Sequence, residues 1–285
     1  MMKLRWMGMF ASLCACSMGS IAQPPAPGYG IIGIAHIAFR VSDLDREIAF
    51  LGKLGYEESF AMTNAGKTME VFIKINDRQF IELYPQTDPK QPLGWMHVCY
   101  EAGDLNALRT YYASIGLNPS PVQKAQAGNL ISSMKDPEGR VTEFTQYMPG
   151  SRHTLDKGLH LGEGRLSDEL MGFDLPVREG AAQKEFYTDL GFEAEDTNGN
   201  VRLTAPGAPD VHIELRAAHP GAQPQFLFPV ADARVTADAL KRAGVKADHD
   251  GGLIFARDPD GNSFVFLETE KEHKSGLIPW GHKSD

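Results

Sequence analysis

Two histidines and two glutamates stand at matched places along this chain, and together they could hold a divalent metal ion. His36 lies in Ile34-Ala-His-Ile-Ala-Phe-Arg-Val41 and Glu82 in Phe80-Ile-Glu-Leu-Tyr84, 46 residues further on. His97 lies in Met96-His-Val-Cys-Tyr100 and Glu143 in Val141-Thr-Glu-Phe-Thr145, again 46 residues further on. Two imidazoles and two carboxylates meeting at one point suit a borderline first-row cation, and Zn, Ni, Co, Mn or Fe would each be accepted. Taken singly, a strand histidine or glutamate is more often solvated or satisfied within the core than a ligand. The equal spacing is what carries the joint reading, with one metal per chain expected. Alternation places Ala38 and Arg40 on the face of His36, and Cys99 and Glu101 on the face of His97. Arg40, Cys99 and Tyr84, which stands beside Glu82, are therefore candidate substrate contacts. His153, His160, His219, His249, His273 and His282 fall in loops or the tail and read as surface residues, and His212 has no partner in its own half.

The elements that must position these residues come as a repeat. Each of four segments has a short strand, an amphipathic helix closing on Gly plus an apolar residue, then further strands. The first helix spans Asp43 to Leu54 and closes on Gly55-Tyr56, and the second spans Asp104 to Ile115 and closes on Gly116-Leu117. The third and fourth close on Gly191-Phe192 and Gly244-Val245. Leu44, Ile48, Leu51 and Leu54 in the first helix, and Leu105, Leu108, Tyr112 and Ile115 in the second, recur at helical spacing. The glycines sit where a helix C-terminus needs a left-handed residue. Asp136-Pro-Glu-Gly139 and Asp258-Pro-Asp-Gly261 are turn sequences joining two strands of a hairpin. The unit is β-α-β-β-β, used four times, so the class is α+β with modules paired into two open, cupped mixed-sheet domains. The boundaries read as 31–148 for the metal-binding half, 149–168 for an aperiodic linker, 169–268 for a second half and 269–285 for a polar tail. Aligning the halves sets Gly172 opposite His36, Gln225 opposite His97 and Val265 opposite Glu143, while Glu214 survives opposite Glu82. The second half keeps the fold and loses the site.

Composition narrows the function classes. The 285 residues are 42% hydrophobic and 23% charged with a formal charge of −9, and no Lys/Arg stripe interrupts the acidic excess. Nucleic acid and anionic membrane are poor partners for such a chain, and a small-molecule substrate is the better expectation. Lys3 and Arg5, the apolar run Trp6–Ala15 and the small residues Ser17–Ala22 before Gln23-Pro24-Pro25 form a secretory signal peptide over residues 1–22. That run is too short to span a bilayer, so no integral membrane segment remains after processing. The alternative is lipoprotein anchoring at Cys16, because Leu13-Cys14-Ala15-Cys16 loosely follows a lipobox. In both readings the protein is exported, periplasmic or secreted. Cleavage after Ala22 leaves Cys99 as the one cysteine, which cannot form an internal disulfide.

These segments resemble the vicinal oxygen chelate superfamily, the glyoxalase/bleomycin-resistance/dioxygenase fold. The resemblance rests on Ile34 to Asp43, Leu54-Gly-Tyr56, Ile81-Glu-Leu83, and Asp136-Pro-Glu-Gly139 with Glu143 four residues on, and it spans residues 31–268. It implies paired modules around a metal that chelates neighbouring oxygens of a substrate. One implied activity is that of a glyoxalase- or epimerase-like isomerase or lyase, with a four-ligand site, a metal-stabilised enediolate, and Glu143 or Glu82 as the base. The alternative is an extradiol ring-cleaving dioxygenase with Fe(II) on His36, His97 and Glu143. The dioxygenase pattern also carries a tyrosine where this chain has Ser133, and a histidine for which nothing stands between Tyr100 and Glu143. A third class is a small-molecule binding protein of the resistance type, whose members usually lack the metal ligands.

Overall fold

The structure, a computed structural model, describes residues 30–197 and 199–269. The leader, the Cys16 motif and nearly all of the tail, with His273 and His282, lie outside the described residues. The first module comprises β1 (Ile31–Val41), α1 (Leu44–Lys53), β2 (Glu57–Asn64), β3 (Lys67–Lys74) and β4 (Phe80–Pro85). The second comprises β5 (Gly94–Ala102), α2 (Leu105–Ser114), β6 (Gln123–Lys124), β7 (Leu130–Lys135) and β8 (Val141–Gln146). A short helix, α3 (Arg152–Leu155), follows. The third module runs β9 (Gly172–Val177), α4 (Gly180–Asp189), β10 (Glu193–Thr197), β11 (Asn200–Ala205) and β12 (Ala208–Ala217). The fourth runs β13 (Gln225–Val230), α5 (Ala233–Arg242), β14 (Ala247–Asp250), β15 (Leu253–Arg257) and β16 (Ser263–Glu268).

Local chemistry sets the helix limits. Asp43, Asp104 and Asp232 are N-caps whose carboxylates accept main-chain N–H bonds from the first turns of α1, α2 and α5. At the other end of α1, Gly55 has a φ of +87°, and a Cβ there would lie 2.3 Å from the Gly164 carbonyl oxygen. In the Asp-Pro-X-Gly turns, the Asp136 side chain accepts from the main chain of Glu138 and Arg140, and Asp258 does the same for Asp260 and Asn262.

Two eight-stranded mixed sheets result, ordered β2-β3-β4-β1-β5-β8-β7-β6 and β10-β11-β12-β9-β13-β16-β15-β14. Within each module the first and last strands pair in parallel, and the antiparallel β1–β5 and β9–β13 contacts join the modules. One face of each sheet carries the helices and the common core. Ile37, Phe39, Val98, Tyr100 and Phe144 belong to it, as do Leu51, Leu108 and Tyr112 from the helices. The two halves share this core. Phe39 packs edge-on against Phe226 at 5.1 Å, Phe50 against Phe264 at 5.7 Å, and the Tyr112 hydroxyl donates to the Leu190 carbonyl at 3.0 Å. Each such aromatic contributes about 1.5–3 kcal/mol by burial. The cup of the first sheet lies on the opposite face, away from this core. Among the described residues no helix is long and apolar enough to cross a membrane.

Residues 149–168 do not behave as a plain surface connection. The α3 helix, capped by Ser151, turns into the first cup, and the following chain runs along the β3–β4 hairpin. Lys74 is fully buried and binds the Asp77 carboxylate at 2.9 Å, the Asp156 carboxylate at 3.0 Å and the Asp156 carbonyl. A lysine withdrawn from water needs such a set of acceptors. Further on, Asn76 donates to Asp168, and Gln79 exchanges hydrogen bonds with the main chain of Leu170. Sequence periodicity is blind to this segment because side-chain bonds hold it and a repeating apolar face does not.

Candidate metal centre

Four adjacent strands at the middle of the first sheet, β4-β1-β5-β8, each present one donor to the cup. Register brings them level. In β1, Ala38 is opposite Glu82 of β4 on one side and His97 of β5 on the other, and His36 is opposite Cys99, which pairs onward with Glu143 of β8. Because side chains alternate, the same strands send Ile37, Phe39, Val98 and Phe144 to the core. His36 Nε2 lies 3.1 Å from His97 Nε2 and 3.5 Å from a Glu143 oxygen. Its Nδ1 lies 3.1 Å from Glu82 Oε1, and Glu82 Oε2 is 4.0 Å from His97 Nε2. The structure therefore brings donor atoms of His36, Glu82 and His97 within 4.8 Å of one another, and Glu143 joins them through His36. Trp95 Nε1 donates to the His97 carbonyl at 2.8 Å and fixes the strand there.

Burial sets the charge state of the group. It lowers the pKa of His36 to about 3 and that of His97 to about 4, with His36 adding to the second shift. Both rings are neutral, so their contacts with the carboxylates are hydrogen bonds rather than ion pairs. Burial also raises the carboxyl of Glu82, with Glu70 and Glu143 adding repulsion, and it raises Glu143 and Glu70. Three carboxyls and two neutral imidazoles thus converge in a buried place, and among the described residues no Lys or Arg pairs with the four donors. Such a nitrogen and oxygen donor set, poor in counter-charge, fits a divalent cation, whose charge would replace the protons that burial favours on the carboxyls.

Three of the donors, His36, Glu82 and Glu143, line a cavity of ≈ 120 Å³ together with Glu70, Tyr84 and His153, and His97 stands outside its wall. Tyr84 lines the cavity, and its hydroxyl bridges the Glu70 carboxylate and Glu82, at 3.1 Å from the latter. Arg40 and Cys99 need correction as substrate contacts. The Arg40 guanidinium turns away to the Pro92 carbonyl at 3.2 Å and does not line the cavity. Cys99 is wholly buried behind Glu143, to which it hydrogen-bonds, and burial pushes its thiol pKa up. Its sulfur sits within 4.8 Å of donor atoms of His36 and Glu143, so it is part of the cluster's floor.

His153 also needs correction, since the loop reading placed it on the surface. It is 5% exposed, and Phe60, Phe72 and Phe80 surround its ring edge-on at 4.7–5.0 Å. Glu70 was missed as well. The signal for it was available, because it alternates with Phe72 against the core residues Val71 and Ile73 of the same strand. No comparable signal existed for His153 or its partner Asn129, whose positions depend on where the linker folds.

In the second half the strand register sets Gly172, Gln225, Val265 and Glu214 where the alignment placed them. A Cβ on Gly172 would lie 1.8 Å from the His212 carbonyl oxygen, so no histidine could stand there without moving β12. The Arg202 guanidinium occupies the retained Glu214 carboxylate at 2.8 Å, and Leu227, Leu253, Val265 and Leu267 form an apolar cluster of their own.

The family model of the Glyoxalase/Bleomycin resistance protein/Dioxygenase superfamily matches residues 169–266. The same module topology recurs, strand for strand, in the first sheet. Residues 169–266 thus carry a domain of this superfamily, also called the vicinal oxygen chelate superfamily. The match falls on the half without the donors, so it does not assign them. Among solved structures, the chain is similar to the Mn(II)-bound glyoxalase from Novosphingobium aromaticivorans, with 17% identity, a TM-score of 0.61, and 84% of this chain and 83% of that one covered. It is similar also to catechol 2,3-dioxygenase, at 12% identity, a TM-score of 0.62, and 90% and 96% covered. The 2,3-dioxygenase LapB from Pseudomonas sp. KL28 aligns at 17% identity with a TM-score of 0.65, covering 88% and 97%. At these identities the likeness establishes the two-domain fold. No curated protein matches the sequence.

Proposed function

We propose that this chain is a metal-dependent isomerase or lyase of glyoxalase or epimerase type, moving a proton next to a carbonyl of a small oxygenated substrate. The observation that carries this reading is the place of Glu82. It lies within reach of both histidine rings and groups with them within 4.8 Å, which supports Glu82 as a donor in addition to Glu143 on His36. His36, Glu82, His97 and Glu143 would hold one divalent ion, which when bound supplies Lewis acidity to two neighbouring substrate oxygens. The chain's own residues do the remaining work. Burial keeps both imidazoles in the neutral form, so each ring has one nitrogen lone pair that could bind a cation in place of its present hydrogen bonds. Glu143 has the most open side chain of the four, at 19%, and stands at the cavity where a carboxylate could take a proton and return it. Tyr84 orients the Glu82 carboxylate through its hydroxyl. Phe72, Ala127 and Ile131 form apolar wall around the cavity and limit water.

One contact supports a second reading. If Glu82 acts only by accepting the His36 Nδ1–H, it orients that ring as an outer carboxylate does at many metal sites, leaving His36, His97 and Glu143. That triad on Fe(II) is the extradiol arrangement. Metal analysis with two assays separates the readings. The isomerase or lyase should exchange a substrate α-proton with deuterated water and consume no oxygen. Oxygen uptake with yellowing of a catechol solution would overturn it in favour of the dioxygenase. We further propose export by the N-terminal leader, which sequencing of a mature chain beginning at Gln23 would test. Outside the cytoplasm glutathione adducts are scarce, which favours another oxygenated substrate.

A further inference from the structure

His153 reaches the cup from the segment joining the two halves, outside all four β-α-β-β-β modules. Its Nδ1 lies 2.9 Å from Asn129 Nδ2, and Asn129 Oδ1 accepts the Met148 main-chain N–H at 3.1 Å. The second bond fixes the amide, whose nitrogen must then donate to Nδ1. The ring proton is therefore on Nε2. That N–H has no hydrogen-bond partner among the described residues, although the ring is almost wholly buried and lines the same cavity as His36, Glu82 and Glu143. Three phenylalanine rings around it offer no acceptor oxygen, and the hydroxyl of Tyr147, whose ring lies 5.2 Å away, turns to donate to the Arg78 carbonyl. Lys74 and His160, both bound to Asp156, anchor the chain just beyond α3 and hold the helix in the cup. A fixed donor that has no protein acceptor and lines a small cavity is placed to meet a ligand oxygen there.

We propose that His153 is a ligand-binding residue of this cup, donating its Nε2–H to a substrate oxygen beyond the two that face the metal donors. The substrate class that follows is a small molecule with two neighbouring oxygens and at least one further carbonyl or carboxylate oxygen. The inference rests on the reading of the cup as a chelating metal site.

The test uses the full chain loaded with Co(II), whose d–d absorption reports ligands. Two probes are titrated. Oxalate offers two neighbouring oxygens and leaves two more, whereas acetohydroxamate offers two and leaves none. His153→Phe should weaken oxalate roughly tenfold or more, the worth of a hydrogen bond to a charged oxygen, and acetohydroxamate by less than about threefold. Metal content and Tm should stay near the wild type, and His153→Gln, which keeps an N–H donor, should recover most of the oxalate affinity. Equal losses for both probes, or no loss for either, would overturn the assignment. His153→Leu takes the place of the phenylalanine variant if that one does not fold. Failure of both probes to alter the wild-type spectrum would sink the chelating site itself, a result distinct from equal binding by the variants.

Discussion

A glutamate buried between the two halves makes the chain's stability depend on pH in a direction that can be worked out. Glu47 on α1 is 1% exposed, and one of its oxygens has no partner. Burial, then the charges of Asp258 and Asp260 and a hydrogen bond with Asp258, push its pKa up to about 9, against a smaller opposing effect of Arg46. The other half of the molecule supplies an internal control. Gln183 is the fourth residue of α4, as Glu47 is of α1, and its amide donates to Asp136 of the equivalent turn at 2.7 Å. Glu47 can copy that bond only as a protonated acid. Its folded pKa lies above the unfolded one, so its contribution is fully present below about pH 4.5 and is lost as pH rises toward 9. By pH 7 the loss is on the order of 3 kcal/mol. Glu47→Gln should therefore raise stability near pH 8 by roughly 1–3 kcal/mol, a Tm increase of several degrees in a chain of this size. It should also flatten the profile between pH 5 and 9. Denaturant unfolding of both proteins across that range is the assay. A variant that keeps the wild-type slope, or is less stable throughout, would refute a shared proton at this contact.

Four further outcomes follow from named contacts. Replacing His36 or His97 with Ala should take metal content from near one per chain to near none, and unchanged content by elemental analysis would sink the donor assignment. Stripping the metal with a chelator should lower Tm, because a ligand present at a thousand times its Kd stabilises the native state by about 4 kcal/mol. Lys74→Met leaves Asp156 without its buried partner and should cost about 3–5 kcal/mol in urea unfolding. Arg202→Met should cost a similar amount by stranding Glu214, and Glu214→Leu added to it should recover most of the loss.

How much of this could be read from the sequence divides along the repeat. The four donors were visible because each module repeats its strand positions, and equal spacing in two modules becomes convergence once β1 and β5 pair. The helix limits were visible because capping is local: Asp43 and Asp104 bond within their own first turns. Arg40 shows where alternation stops being informative. It lies on a strand of known face, but a long side chain can reach past the cup to Pro92. Cys99 was given the right face and the wrong depth, because Glu143 on the neighbouring strand covers it. His153 was beyond reach, since the Lys74–Asp156 pair and Asn129 that seat it join segments far apart in sequence.

Glu82 and Glu214 are one position in two settings, and the contrast supports a cation in the first cup. Each is buried, at 4% and 3% exposure, on the last strand of its module. Glu214 is matched by Arg202, which stands on β11 directly opposite it. The residue opposite Glu82 on β3 is Phe72, which brings no charge. Gly172 and Val265 then remove the other donors, and aliphatic side chains close the second cup. A carboxylate withdrawn from water needs a positive partner or a proton. The second half supplies an arginine, while the first packs Glu82 against Glu70, Tyr84 and two neutral imidazoles. Introducing Phe72→Arg should place a guanidinium on Glu82 and abolish metal binding while leaving the fold intact. Retention of one metal per chain in that variant would show that Glu82 is not among the ligands.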